Sequence, residues 1–125
     1  MKHSKESLKR RDKLVALCRS LPEVVAEGDP HIPITVRGKT FAYYQFDHHG
    51  DGMIALVCKA PPGEQARQVE SDPIAYFVPG YLGTRGWVGV RLDLKRVDWA
   101  QVEALIVTAC RLTAPKKLAA LNHHN

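Results

Sequence analysis

Pro79-Gly80-Tyr81-Leu82-Gly83-Thr84-Arg85-Gly86-Trp87-Val88-Gly89-Val90-Arg91-Leu92 carries a glycine-punctuated loop into an alternating strand. With Val88, Val90 and Leu92 turned toward a core, the two-residue period sends Trp87, Gly89 and Arg91 to the opposite face. Arg85 and Arg91 then share a neighbourhood with an aromatic ring, and Gly89 leaves that face open to close approach. Such a face suits binding better than catalysis. The reversed pleat would instead make Trp87 a core residue. Tyr81 reads as a packing residue whose hydroxyl reaches the surface. Gly80, Gly83 and Gly86 precede a strand, so they offer no helix N-terminus to a phosphate and serve to permit positive φ in a tight loop.

Working upstream, Tyr76-Phe77-Val78 reads as a short strand, and Glu64 to Glu70 as a short helix opened by proline and stopped at Ser71-Asp72-Pro73. Before it comes a meander. Ile32, Ile34 and Val36 alternate, Arg37-Gly38-Lys39 turns the chain, and Phe41 to Phe46 returns. A second turn at His48 to Gly52 leads into Met53 to Cys58. The N-terminal segment places Leu14, Leu17, Cys18 and Leu21 at helical spacing until Pro22, with Lys5, Lys9 and Lys13 as a separate basic stripe. Downstream, Asp98 with Gln101 makes a capping pair for a helix that gathers Trp99, Val102, Ile106 and Ala109 on one face. Pro115 interrupts that helix, and Leu118 and Leu121 extend the apolar pattern.

The order helix, three strands, helix, two strands, helix predicts an α+β, two-layer domain, with an antiparallel sheet of about five strands and helices on one face. At 125 residues and 45% hydrophobic, the chain has the size and apolar content of one domain, 1–125. Residues 1–7 and 119–125 read as frayed tails. No apolar run approaches the ~20 residues that span a bilayer, and the first residues lead into no signal-peptide apolar region, so the expected location is cytoplasmic and no membrane partner is expected.

The net charge of +5 is uneven. Lys2, Lys5, Lys9, Arg10, Arg11, Lys13 and Arg19 crowd the first twenty residues, and Arg111, Lys116 and Lys117 follow Glu103 without an acid. Basic ends can draw phosphate without regard to sequence, although charge runs are more often solvated helix faces. Cys18, Cys58 and Cys110 fall singly in apolar segments and read as small buried hydrophobes, which points to neither a disulfide framework nor a zinc site.

Catalytic signatures are missing from the sequence. It holds no nucleophile elbow, GxxxxGK[ST] loop, GxGxxG turn, HExxH pair or CxxC. Of the six histidines, His3, His123 and His124 are terminal, His48 and His49 sit in a glycine-rich turn, and His31 stands beside the polar segment that holds Asp29. General acid–base work needs a positioned partner, and none is assignable, so the expectation is no catalytic residue, no metal and no cofactor.

Tyr81-Leu82-Gly83-Thr84-Arg85-Gly86-Trp87-Val88 resembles the signature of the MmcQ/YjbR family of small bacterial proteins. Val36-Arg37-Gly38-Lys39-Thr40-Phe41-Ala42 and Cys110-Arg111-Leu112-Thr113-Ala114-Pro115-Lys116-Lys117 agree with that family in order and spacing, so the resemblance spans about Leu14 to Leu118. It implies a secretion-chaperone-like architecture and a non-enzymatic binding domain, described for the family as a predicted double-wing DNA binder without a settled biochemical role. Thr84 departs from the basic residue that many relatives carry.

Three classes of function follow. In the first, Arg37 and Lys39 at one hairpin turn, and Arg85 and Arg91 near another, are basic wings on DNA, with Lys116 as a further cation and Trp87 stacking or wedging. Around them, Tyr81, Gly83 and Gly86 shape the surface loop. In the second, the same aromatic and arginine surface captures a protein or peptide partner. The third is a small-molecule enzyme, and it ranks last. A monomer or weak dimer is expected.

Overall fold

The computed structural model describes residues 1–118. The helix α1 (Lys5–Arg19) opens on a reciprocal cap, because the Ser4 hydroxyl accepts from the Ser7 amide at 3.0 Å while the Ser7 hydroxyl accepts from the Ser4 amide at 2.8 Å. That arrangement satisfies two amides that a helix start otherwise leaves bare. Of the stretch 1–7 expected to fray, Lys5 to Ser7 thus form the first turn, and the His3 ring stacks on Phe46 at 3.9 Å. The expected tail 119–125, with Leu121, lies outside the described residues.

Six strands make one antiparallel sheet: β1 (Val24–Ala26), β2 (Ile32–Val36), β3 (Lys39–Phe46), β4 (Ile54–Cys58), β5 (Tyr76–Phe77) and β6 (Val88–Arg91), in the order β1-β2-β3-β4-β6-β5. The strand beyond expectation is β1. Its three residues are too few to show a period, and only pairing with β2 makes a strand of them. Arg37 and Gly38 both take positive φ between β2 and β3, which a two-residue hairpin turn requires for its twist to match the strands. Nearby, the register slips between Ile34 and Thr35, leaving Phe41 unopposed on β3. Phe41 and its neighbour Ala42 are both fully buried, a packing that strict alternation forbids and a bulge allows.

All three helices pack on one face. The helices α1 and α3 (Trp99–Thr113) contribute Leu14, Cys18, Val102, Ile106 and Ala109 to a core shared with Ile34, Tyr44, Leu56, Val88 and Val90. Asp98 caps α3 by accepting from the Gln101 amide at 3.1 Å. The short helix α2 (Glu64–Ser71) crosses from β4 to the β5 edge and lays Val69 against the same core. From α1, the Arg10 guanidinium donates to the carbonyls of Leu92, Leu94 and Lys95, which fixes the exit from β6. Lys13 lies over the Trp99 ring at 4.7 Å, so the basic stripe is partly engaged in holding α1 to α3.

Candidate binding face

The sheet face away from the helices has its own thin apolar layer. Val88, Val90 and Leu92 turn to the helical core as the alternation requires, and Trp87 and Gly89 turn the other way. Yet Trp87 is only 5% exposed. The expectation of an exposed Trp87 fails here because the loop following β5 folds back over the sheet. A short 3-10 helix, Leu82–Arg85, crosses that face, and the Trp87 amide donates to the Leu82 carbonyl at 3.2 Å. Beneath it the Trp87 ring stacks on Tyr43 of β3, with centroids 6.0 Å apart and planes 27° apart. Gly89 is closed as well, since a β-carbon there would run into the Phe77 ring. Its openness serves internal packing and leaves no surface for a ligand.

The glycines of the loop divide the work. Gly86 holds φ +83, where it turns the chain into β6. Gly83 has an ordinary φ, and its requirement is space, because a β-carbon would collide with Val78. The Gln65 amide of α2 donates to the carbonyls of Gly83 at 2.9 Å and Trp87 at 2.6 Å, tying the loop to that helix.

Tyr81 stands at the apex, 91% exposed, with φ 56 and ψ −58. Positive φ in a bulky residue is a strained state that persists only when its surroundings enforce it, and strain of this kind gathers at functional sites. Beside Tyr81 the loop and the sheet enclose a groove of about 290 Å³, walled by Pro33, Tyr43, Gln45 and Leu82 and closed at one end by His31 and His48. His31 donates from Nε2 to the Phe46 carbonyl at 2.9 Å, and its ring meets the edge of His48 at 5.2 Å. His49 lies 4.0 Å beyond His48. Burial, reinforced by His49 and His31, holds the His48 imidazole below its ordinary pKa, against the pull of Asp51. Its Nδ1 is buried and has no hydrogen-bond partner among the described residues.

The basic residues are less available than the sequence suggests. Arg37 donates from Nη2 to Glu23 at 2.8 Å, and that bond holds the Glu23 carboxyl below its usual range. Arg91 is spent on Asp93 at 3.0 Å. Lys39 and Arg85 are exposed, and Lys116 is exposed beyond the end of α3. Because Ala42 pairs with Cys58 and Cys58 with Val88, the turn at 37–39, Lys59 and the start of β6 lie at one end of the sheet. Two of the sequence-derived cations, Lys39 and Arg85, thus belong to segments at the same end of the sheet as Lys59.

A larger cavity, about 480 Å³, opens on the helical side between α2, β6 and the start of α3. Its Arg67 and Arg91 are paired to Glu64 and Asp93, and Asp72, Arg96 and Asp98 also line it, so both signs of charge are present. Among the described residues no three His, Cys, Asp or Glu side chains are grouped to hold a metal. The cysteines are buried, and burial pushes the Cys18 and Cys58 thiols up to about 12, which makes them poor nucleophiles. No described helix is long and apolar enough to cross a membrane.

Sequence reasoning missed the groove because its walls come from four separate segments. Pro33, Tyr43 and Gln45 do carry a signal: they are the outward positions of two strands whose inward ones were recognised. What the sequence withholds is the path of the loop that makes the facing wall.

The fold has a solved counterpart. The chain is similar to the crystal structure of the Deinococcus radiodurans protein DR2400, described by its domain DUF419, with a TM-score of 0.67 and 21% identity over 82% of this chain and 76% of that one. No curated protein matches the chain by sequence. The YjbR family model matches residues 19–112, from the end of α1 through the signature loop to the last turn of α3. With that match over most of its length, the chain belongs to the YjbR family.

Proposed function

We infer that the domain is a non-enzymatic binding module that receives an apolar segment of a partner protein in the groove beside Tyr81. One observation carries the reading: Tyr81 is held at positive φ and is 91% exposed beside an apolar groove. Exposing a large ring in a costly backbone state is explained by a partner that covers it. Ile74 and Val78, 69% and 56% exposed, lie in the same eight-residue stretch as Tyr81 and add exposed apolar surface near it in the chain. No lysine or arginine lines the groove, which suits a side chain better than a phosphate. Peptides selected from a random display library on the wild-type domain should lose at least about tenfold in affinity to Tyr81→Ala, the effect of removing an aromatic anchor. Peptides that bind both proteins alike would refute the groove as the site.

A second reading keeps DNA as the partner, and the gathering of Lys39, Lys59 and Arg85 at one sheet end favours it. Its contacts would be to phosphate, so each cation replaced by alanine should flatten the log K against log salt slope by about one unit. Trp87, being covered, takes no part in base stacking. If no single- or double-stranded oligonucleotide is retarded at low salt, this reading falls and the first stands.

A further inference from the structure

We propose that the groove recognises a carboxylate carried on an aromatic group, with His48, set between His31 and His49, at the end that receives the carboxylate. The inference rests on the groove being the binding site. Tyr43, pinned against Trp87, and Tyr81 offer ring faces, and about 290 Å³ lies at the small end of ligand pockets, room for one planar ring system. No charged side chain other than the two imidazoles lines the space. Any ionic preference therefore comes from the histidines.

The groups facing His48 are His31, from the segment before β2, and His49 and Asp51, from its own turn. Only Asp51 favours a proton on the ring, and its Oδ1 already accepts from the Met53 amide at 2.8 Å. Asp47 is likewise engaged, with the Gly52 amide and the terminal amine of Met1. An imidazolium at His48 would thus stand beside an apolar wall short of a counter-charge, with Nδ1 buried and unpartnered. A carboxylate entering the groove supplies that counter-charge. By linkage, a ligand that prefers the protonated ring raises its pKa and binds more tightly as pH falls. A neutral ligand of the same shape gains nothing.

Indole-3-acetate and indole-3-acetamide separate these cases, titrated into the whole protein at pH 7.5 and 5.5 with NMR detection. The acetate should tighten by about tenfold across that interval while the amide stays constant within about twofold. His48→Gln should abolish the difference between the two pH values for the acetate, and His31→Gln should reduce it. The inference is overturned if acid and amide respond alike, if the acetate response survives His48→Gln, or if neither probe binds. Display-selected peptides distinguish the two proposals. Peptides without carboxylates that need Tyr81 and bind equally at both pH values would sink the carboxylate preference and leave the groove's role standing.

Discussion

The two faces of the sheet bury side chains by different means. On the helical face, Leu14, Val102 and Ile106 close over Tyr44, Leu56 and Val90, three layers of side chain held by regular elements. On the other face, Trp87, Tyr43, Val57 and Phe77 are covered by one irregular loop, tied down by Gln65 and four local backbone bonds. Because β4 is sandwiched between the two, all five of its residues are buried. Stability is thus concentrated behind the sheet, and the exposed, strained features stand in front of it. A thin cover can carry a ring such as Tyr81 outward without disturbing the core, which a helix packed by its whole face could not.

Trp87→Ala tests the thin layer most severely. Loss of a buried indole should cost about 3–5 kcal/mol in urea melts. A cost below about 1 kcal/mol would mean that the loop does not seal this face. Ile106→Ala, on the helical face, should cost about 2–5 kcal/mol, with no effect on groove ligands. If it weakened them as much as it weakened the fold, the separation of the faces would be wrong. Gly89→Ala drives a methyl group into the Phe77 ring and should destabilise by about 1–3 kcal/mol, an overpacking cost that Phe77→Leu should relieve. Phe77 and Gly89 would then couple in a double-mutant cycle. Tyr81→Gly should leave stability within about 0.5 kcal/mol of wild type, since it removes exposed surface and relaxes the backbone.

The smallest effect concerns protons. The folded His48 imidazole sits below its ordinary value of 6.5, so near pH 6 the unfolded chain holds the proton more readily than the folded one. Stability contributed by the neutral ring is present above about 6.5 and declines as pH falls through that value, and His48→Gln should flatten this part of the stability profile. An unchanged profile would show that the imidazole is solvated in the native turn.

Much of this architecture was legible. Alternation at Ile32, Ile34 and Val36, helical spacing at Leu14 and Cys18, and the Asp98 cap all depend on neighbours a few residues away, and each stands where its pattern put it. The pleat of β6 was also readable, and its consequence was not. Whether an outward Trp meets water is decided by the return of the 78–87 loop, a tertiary event that leaves no period in the sequence. The pairing of Arg37 with Glu23 and of Arg91 with Asp93 was hidden for the same reason, because each partner is set by the turn geometry around it.

The Arg10 guanidinium has a consequence for the order in which the chain assembles. It comes from α1, ahead of every described strand, yet the carbonyls it grips, Leu92, Leu94 and Lys95, lie past the last strand. The pairing of β6 with β4 likewise waits for the α2 crossover. Contacts this far apart along the chain pay loop-closure entropy early and are rewarded late, which slows folding. Until the segment after β6 arrives, α1 is left with its clamp unfilled, so α1 is the segment that should depend most on protection during synthesis.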